Sequence, residues 1–149
     1  MDPRFVLAFD RPQAGFDYRR RPGAYGIARR GAEILLVESE GGLDIPGGGL
    51  EPGEDDGTAL AREFIEETGY RVERAAPLVC LRQFLTKPEA GKFFDKYSAF
   101  YLVEIAGPLG PPTEAGNLPV WLHPEAALGR MNEACQDWLL RHMVIAANL

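Results

Sequence analysis

The chain has 149 residues, with 16 Lys and Arg against 22 Asp and Glu, a formal net charge of −6 and 46% hydrophobic content. That length supplies one domain able to bury a core without staples, and the composition is that of a globular protein, not a disordered or fibrous one. The acidic balance argues against a broad nucleic-acid-binding face, and no apolar run approaches the roughly 18 residues that cross a bilayer.

The opening Met1-Asp2-Pro3-Arg4 lacks a basic-then-apolar leader pattern, so the expected location is cytoplasmic. Phe5 to Phe9 reads as a short strand before a loop through Pro12 and Gly15, in an arginine-rich stretch holding Arg19, Arg20 and Arg21. Residues 1–22 are expected to form a strand and loop extension of a single domain over 1–149. Tyr25 to Ala28 and Ile34 to Val37 then read as strands turned at Arg30-Gly31. Ile45-Pro46-Gly47-Gly48-Gly49 is too rich in Gly and Pro for an expected regular element.

From Asp56 to Thr68 the pattern changes to helix, with Asp55 as N-cap, Gly69 as the stop, and Leu60, Phe64 and Ile65 as the apolar stripe. Leu78 to Leu85 and Tyr97 to Ile105 are β-branched and aromatic enough for two longer strands. Gly107 to Pro112 is a break, and Leu118 to Leu122 is a short strand. Met131, Cys135, Trp138, Leu139, His142 and Ile145 recur at helical spacing near the C-terminus. The expected class is therefore α/β (α+β), with a mixed sheet sandwiched between helices. Cys80 and Cys135 show no zinc spacing and read as small buried hydrophobes in a reduced compartment. With His123 and His142 the only histidines, His-rich metal motifs are excluded.

The segment from Gly48 to Tyr70 carries the chemistry. Its acids are Glu51, Glu54, Asp55, Asp56, Glu63, Glu66 and Glu67 against Arg62 alone, so it accounts for the whole net charge of −6 and the remaining charges cancel. At about 100° per residue, Glu67 lies about 40° from Glu63 and Glu66 about 60° to its other side, opposite much of the Leu60/Phe64 stripe. Like charges at this spacing destabilise a helix and raise one another's pKa. A hard divalent cation removes the conflict, and glycines beside it let backbone approach a metal or phosphate closely. The plain alternative is a solvated acidic face.

Gly48, Glu54, Arg62-Glu63, Glu66-Glu67 and Gly69, with Phe64 and Tyr70 at the bulky positions, reproduce the pattern G-x5-E-x7-R-E-U-x-E-E-x-G-U, where U is a bulky apolar residue. This resembles the signature of the Nudix hydrolases, in which U is more often aliphatic. Val120 to Glu125 looks like the family's late strand and short helix. The resemblance implies a Nudix-type α/β/α sandwich and cleavage of the P–O–P linkage of a nucleoside diphosphate joined to another group, using Mg²⁺ or Mn²⁺. It makes Glu63, Glu66, Glu67 and the Gly47 carbonyl the expected metal ligands. Arg62 would orient a glutamate and Glu54 would complete the outer network, so Glu63, Glu66, Arg62 and Glu54 form the expected catalytic set. The proton acceptor is Glu63 or a downstream acid, for which Glu89, Asp95 and Glu114 are candidates.

Substrate signals are thinner. Lys87 stands where the diadenosine-polyphosphate branch has Tyr, and Pro88 falls beyond the place expected in the ADP-ribose branch. An NTP-like or dNTP-like small nucleotide is left by elimination. Arg21, Phe84, Tyr97 and Glu114 are the candidate substrate contacts, with Phe84, Tyr97 and Trp121 able either to stack a base or to pack in the core. Arg19 to Arg21 would meet phosphates or form a solvated loop. Competing readings are a nucleotide-sensing Nudix domain without turnover and an RNA 5′-end pyrophosphohydrolase. No membrane or nucleic-acid partner is expected, and a homodimer is frequent among such proteins.

Overall fold

Strand β2 (Arg19–Arg30) sets the frame of the molecule. Tyr25 and Ile27 point into one core and Ala24 and Ala28 into another, as the two-residue period of a strand dictates. The computed structural model describes residues 5–149, so the first four residues of the expected N-terminal extension lie outside it. The remaining strands are β1 (Phe5–Phe9), β3 (Glu33–Ser39), β4 (Gly42–Asp44), β5 (Gly47–Gly49), β6 (Arg71–Lys87), β7 (Lys92–Ala106) and β8 (Leu118–Leu122). Their order is β1-β6-β7-β2-β3-β4, with β5 also on β2 and β8 on β3. β1–β6 and β2–β7 are parallel and the other pairs antiparallel, giving a mixed sheet.

Helix α1 (Asp56–Thr68) covers one face through Leu60 and Phe64, packed on Ala24, Ala28, Leu35 and Val103. Phe64 fits because Gly26 lies beneath it: a Cβ there would sit 2.8 Å from the ring. The other face is covered by α2 (Pro124–Ala127), α3 (Ala134–Leu139) and wider π-helical turns over Leu140–Ile145, around Cys135, Leu139, Leu140 and Val144. Helices on both faces of a mixed sheet match the expected architecture. Cys80 and Cys135 are buried thiols.

Several elements differ from expectation. β2, β6 and β7 are longer than the expected strands, and β2 takes in Arg19–Pro22, which pair with Phe94–Tyr97 of β7. The Gly-rich segment is a strand after all. Gly23 faces Gly49 and Gly47 faces Tyr25, and a Cβ on Gly47, at φ 144°, would collide with the Ala24 carbonyl oxygen. The glycines are thus what lets this edge approach β2. The C-terminal helix starts at Ala134, not Met131. Residues 130–132 pair with Leu43 instead: Leu43 N–H donates to the Arg130 carbonyl and Asn132 N–H to the Leu43 carbonyl, both at 2.9 Å.

Candidate active site

α1 is capped as its sequence implies. Asp55 accepts from Thr58 N–H at 2.8 Å, and Gly69 closes the helix at φ 76°. The adjoining strand β5 presents its edge to this helix. The antiparallel register turns the N–H and C=O of Gly47 and Gly49 away from β2. Gly47 N–H donates to Glu67 Oε1 at 2.8 Å, and the Gly49 carbonyl accepts from Arg62 Nη2 at 3.1 Å. A Cβ on Gly48 would strike the Glu63 carboxylate.

Arg62 is the hub. Its Nε and Nη2 both donate to Glu54 at 2.8 Å, and its Nη1 reaches Glu63 at 3.0 Å and Glu66 at 3.3 Å. Glu51 lies 3.7 Å from the same nitrogen. The paired hydrogen bonds from Arg62 lower the Glu54 pKa to about 2, and these carboxylates hold Arg62 firmly protonated. Burial instead raises Glu63, against the pull of Arg62. It pushes Glu67 to about 8, despite the Gly47 N–H, with Glu63, Glu114 and Asp44 adding repulsion. Glu67 is not opposite the apolar stripe as projected from Glu63. It lies two turns beyond Leu60 on nearly the same side of α1, which explains its burial.

Carboxylate oxygens of Glu63, Glu66 and Glu114 lie within 4.8 Å of one another. Such a hard-oxygen set, next to an outward-facing Gly47 carbonyl, suits a divalent cation that keeps waters. Of the downstream acids, the structure brings Glu114 here and not the other two. Asp95 is held bidentately by Arg82 at 2.7 Å through both oxygens, and Glu89 is exposed in the turn between β6 and β7.

The other candidate contacts are more dispersed. Arg21 stacks 4.8 Å from the Phe94 ring, and its Nη2 would lie 3.1 Å from a Cβ on Gly49, so it borders β5 on the face away from Glu63. Tyr97 is only 4% exposed, with the guanidinium groups of Arg20 and Arg82 4.4 and 5.2 Å from its ring centre. A base could stack there only by displacing an arginine. Phe84 is half-buried between Tyr18 and Arg82. Trp121 packs in the α1 core, edge-on to Tyr70 at 5.9 Å.

Sequence reasoning missed the supports behind the site. The buried Gln136 accepts from Ile45 N–H at 2.7 Å, and Asn132 donates to Asp44 at 2.9 Å. Both hold the segment leading into Gly47 from the C-terminal part of the chain. The long-range register of Leu43 with residues 130–132 creates these contacts, and no local pattern marks them.

The fold has known relatives. The chain resembles a MutT NUDIX hydrolase from Burkholderia pseudomallei at 22% identity and TM-score 0.67, covering 84% of this chain and 98% of that one. A MutT protein from Bacillus halodurans gives 20% identity and TM-score 0.68, covering 83% and 82%. The E. coli ORF135 protein gives 23% and 0.66, covering 87% and 94%. A sequence model of the NUDIX domain matches residues 17–142, and with that match the chain belongs to the Nudix family of hydrolases.

Proposed function

We propose that this Nudix hydrolase is a Mg²⁺- or Mn²⁺-dependent pyrophosphohydrolase acting, as a single domain, on an NTP-like or dNTP-like small nucleotide. The observation that carries the reading is the surplus of carboxylates around Arg62, with Glu63, Glu66 and Glu114 converging to within 4.8 Å. The bound ion would lower the pKa of a water and offset phosphate charge.

The chain's own residues do the rest. Glu63, Glu66, Glu67, Glu114 and the Gly47 carbonyl are the groups that would hold the ion. Arg62 keeps Glu63 and Glu66 facing the same volume by charge-assisted hydrogen bonds. Glu54 fixes Arg62 in turn, and so sets the pair at one remove. Glu63 or Glu114 is the carboxylate that would take the water's proton. Arg21, beside Gly49 on the face of β5 away from Glu63, is the cation that would meet a part of the nucleotide reaching past that strand. A cytoplasmic location fits a nucleotide substrate.

The test is a panel of nucleoside triphosphates, diphosphate-linked nucleotides and 5′-triphosphorylated RNA with Mg²⁺, read by release of phosphate and pyrophosphate. Turnover of a small nucleotide that stops in EDTA is expected. Binding of one nucleotide without hydrolysis of any would replace the enzyme with a sensor.

A further inference from the structure

We propose that the last turn of α1 is a docking platform for the 107–117 loop, and that Gly69 is the positioning residue that lets this platform hold Glu114 against Glu63 and Glu66. The inference rests on the reading of those carboxylates as a metal site. The loop leaves β7 after Ala106 and returns at Leu118. Two of its amides are taken up by carbonyls at the end of α1: Leu109 N–H donates to the Gly69 carbonyl and Glu114 N–H to the Glu66 carbonyl, both at 2.9 Å.

Those carbonyls are available because the helix stops there. In a longer helix Tyr70 N–H would take the Glu66 carbonyl, but it donates to Thr68 Oγ1 at 3.2 Å. Glu66 therefore contributes its carboxylate to the cluster and, through its main chain, the anchor of Glu114. One residue fixes the spacing between two of the converging acids.

Gly69 has two separate tasks. Its φ of 76° closes the helix, which asparagine also tolerates. Its missing Cβ leaves room for the loop: a Cβ there would overlap the Gly110 carbonyl oxygen and sit 3.2 Å from its carbon. Only glycine performs the second task, and the variant Gly69→Asn separates the two. Leu109→Pro provides an independent break, removing the backbone N–H donor to Gly69 at a residue that is 65% exposed and contributes no core.

Amide exchange is followed by NMR in metal-free wild type, Gly69→Asn and Leu109→Pro, and Mg²⁺ affinity is measured by calorimetry in these, in Glu114→Gln and in Gly69→Asn/Glu114→Gln. In Gly69→Asn the amides of Leu109 and Glu114 are expected to exchange at least about tenfold faster, with those of Phe64 to Thr68 unchanged. Leu109→Pro is expected to accelerate Glu114 likewise. Mg²⁺ affinity is expected to fall about tenfold in Gly69→Asn and in Glu114→Gln, and no further in the double variant. Unchanged exchange in Gly69→Asn overturns the docking. Additive losses in the double variant overturn the coupling through Glu114. Wild-type affinity in Glu114→Gln overturns the metal role of Glu114, and the coupling with it.

Discussion

Arg62 and Arg82 are comparably exposed, at 22% and 23% of their side-chain surface, yet they hold opposite kinds of charge arrangement. Arg82 meets the carboxylate of Asp95 through two hydrogen bonds of 2.7 Å, one positive charge against one negative. Arg62 is shared among Glu54, Glu63 and Glu66, with Glu51 nearby, and the surplus is negative. The comparison teaches that an ion pair is not what marks a site. The Asp95 pair balances its charges within the fold, whereas the Arg62 cluster is left short of positive charge, which is what the proposed cation would supply.

The sharpest way to break the contrast is to remove a carboxylate from each side. Glu63→Gln or Glu67→Gln is expected to lower kcat at least about a hundredfold, through the loss of charge stabilisation at the reacting phosphate. Asp95→Asn is expected to leave kcat within a small factor while lowering stability by about 1–3 kcal/mol in urea denaturation. Equal losses of kcat on both sides would erase the distinction. Arg62→Ala is expected to lower kcat by about 10–100-fold, and Arg62→Lys to recover little of it, since an ammonium cannot hold Glu54 and Glu63 in two directions at once.

Stability offers a gentler probe. In metal-free protein Glu67 holds its proton to about pH 8, while in the unfolded chain it ionises at its ordinary 4.5. Its contribution to stability is therefore complete below pH 4.5 and lost as pH rises through 8. A declining Tm over that window is expected, flattened in Glu67→Gln and reversed by Mg²⁺, which binds the folded carboxylates preferentially. A flat wild-type profile in EDTA would show that the surplus charge is already relieved. The smallest effect is expected for Arg21→Ala, a severalfold rise in KM for the nucleotide with kcat unchanged, read from steady-state kinetics.

The parts of the site that sequence foretold are those governed by neighbours along the chain. The cap at Asp55, the stop at Gly69, the stripe of Leu60 and Phe64 and the convergence of Glu63 with Glu66 all follow from helical periodicity. The parts it did not foretell are set by distant backbone. Gly47–Gly49 form a strand because β2 approaches them, and residues 130–132 escape the C-terminal helix because Leu43 captures them. Glu89, Asp95 and Glu114 were equivalent as acids in a sequence. Only the docking of one loop on the end of α1 and the claim of Arg82 on Asp95 tell them apart. Tyr97 carried an aromatic signature that fits a base platform equally well, and its burial beneath two arginines is a fact of strand pairing.

The hydrogen bond from Ile45 N–H to the buried Gln136 makes the signature segment non-portable. Transplanted to another scaffold, residues 44–70 would bring Glu54, Glu63, Glu66, Glu67 and Arg62. They would leave behind Gln136 and Asn132, which fix where Gly47 begins, and the loop that delivers Glu114. The signature string thus carries the charged groups of α1, while the placement of Gly47 and of Glu114 beside them is stored elsewhere in the chain, and redesign of the cluster would start from the C-terminal segment as readily as from the glutamates.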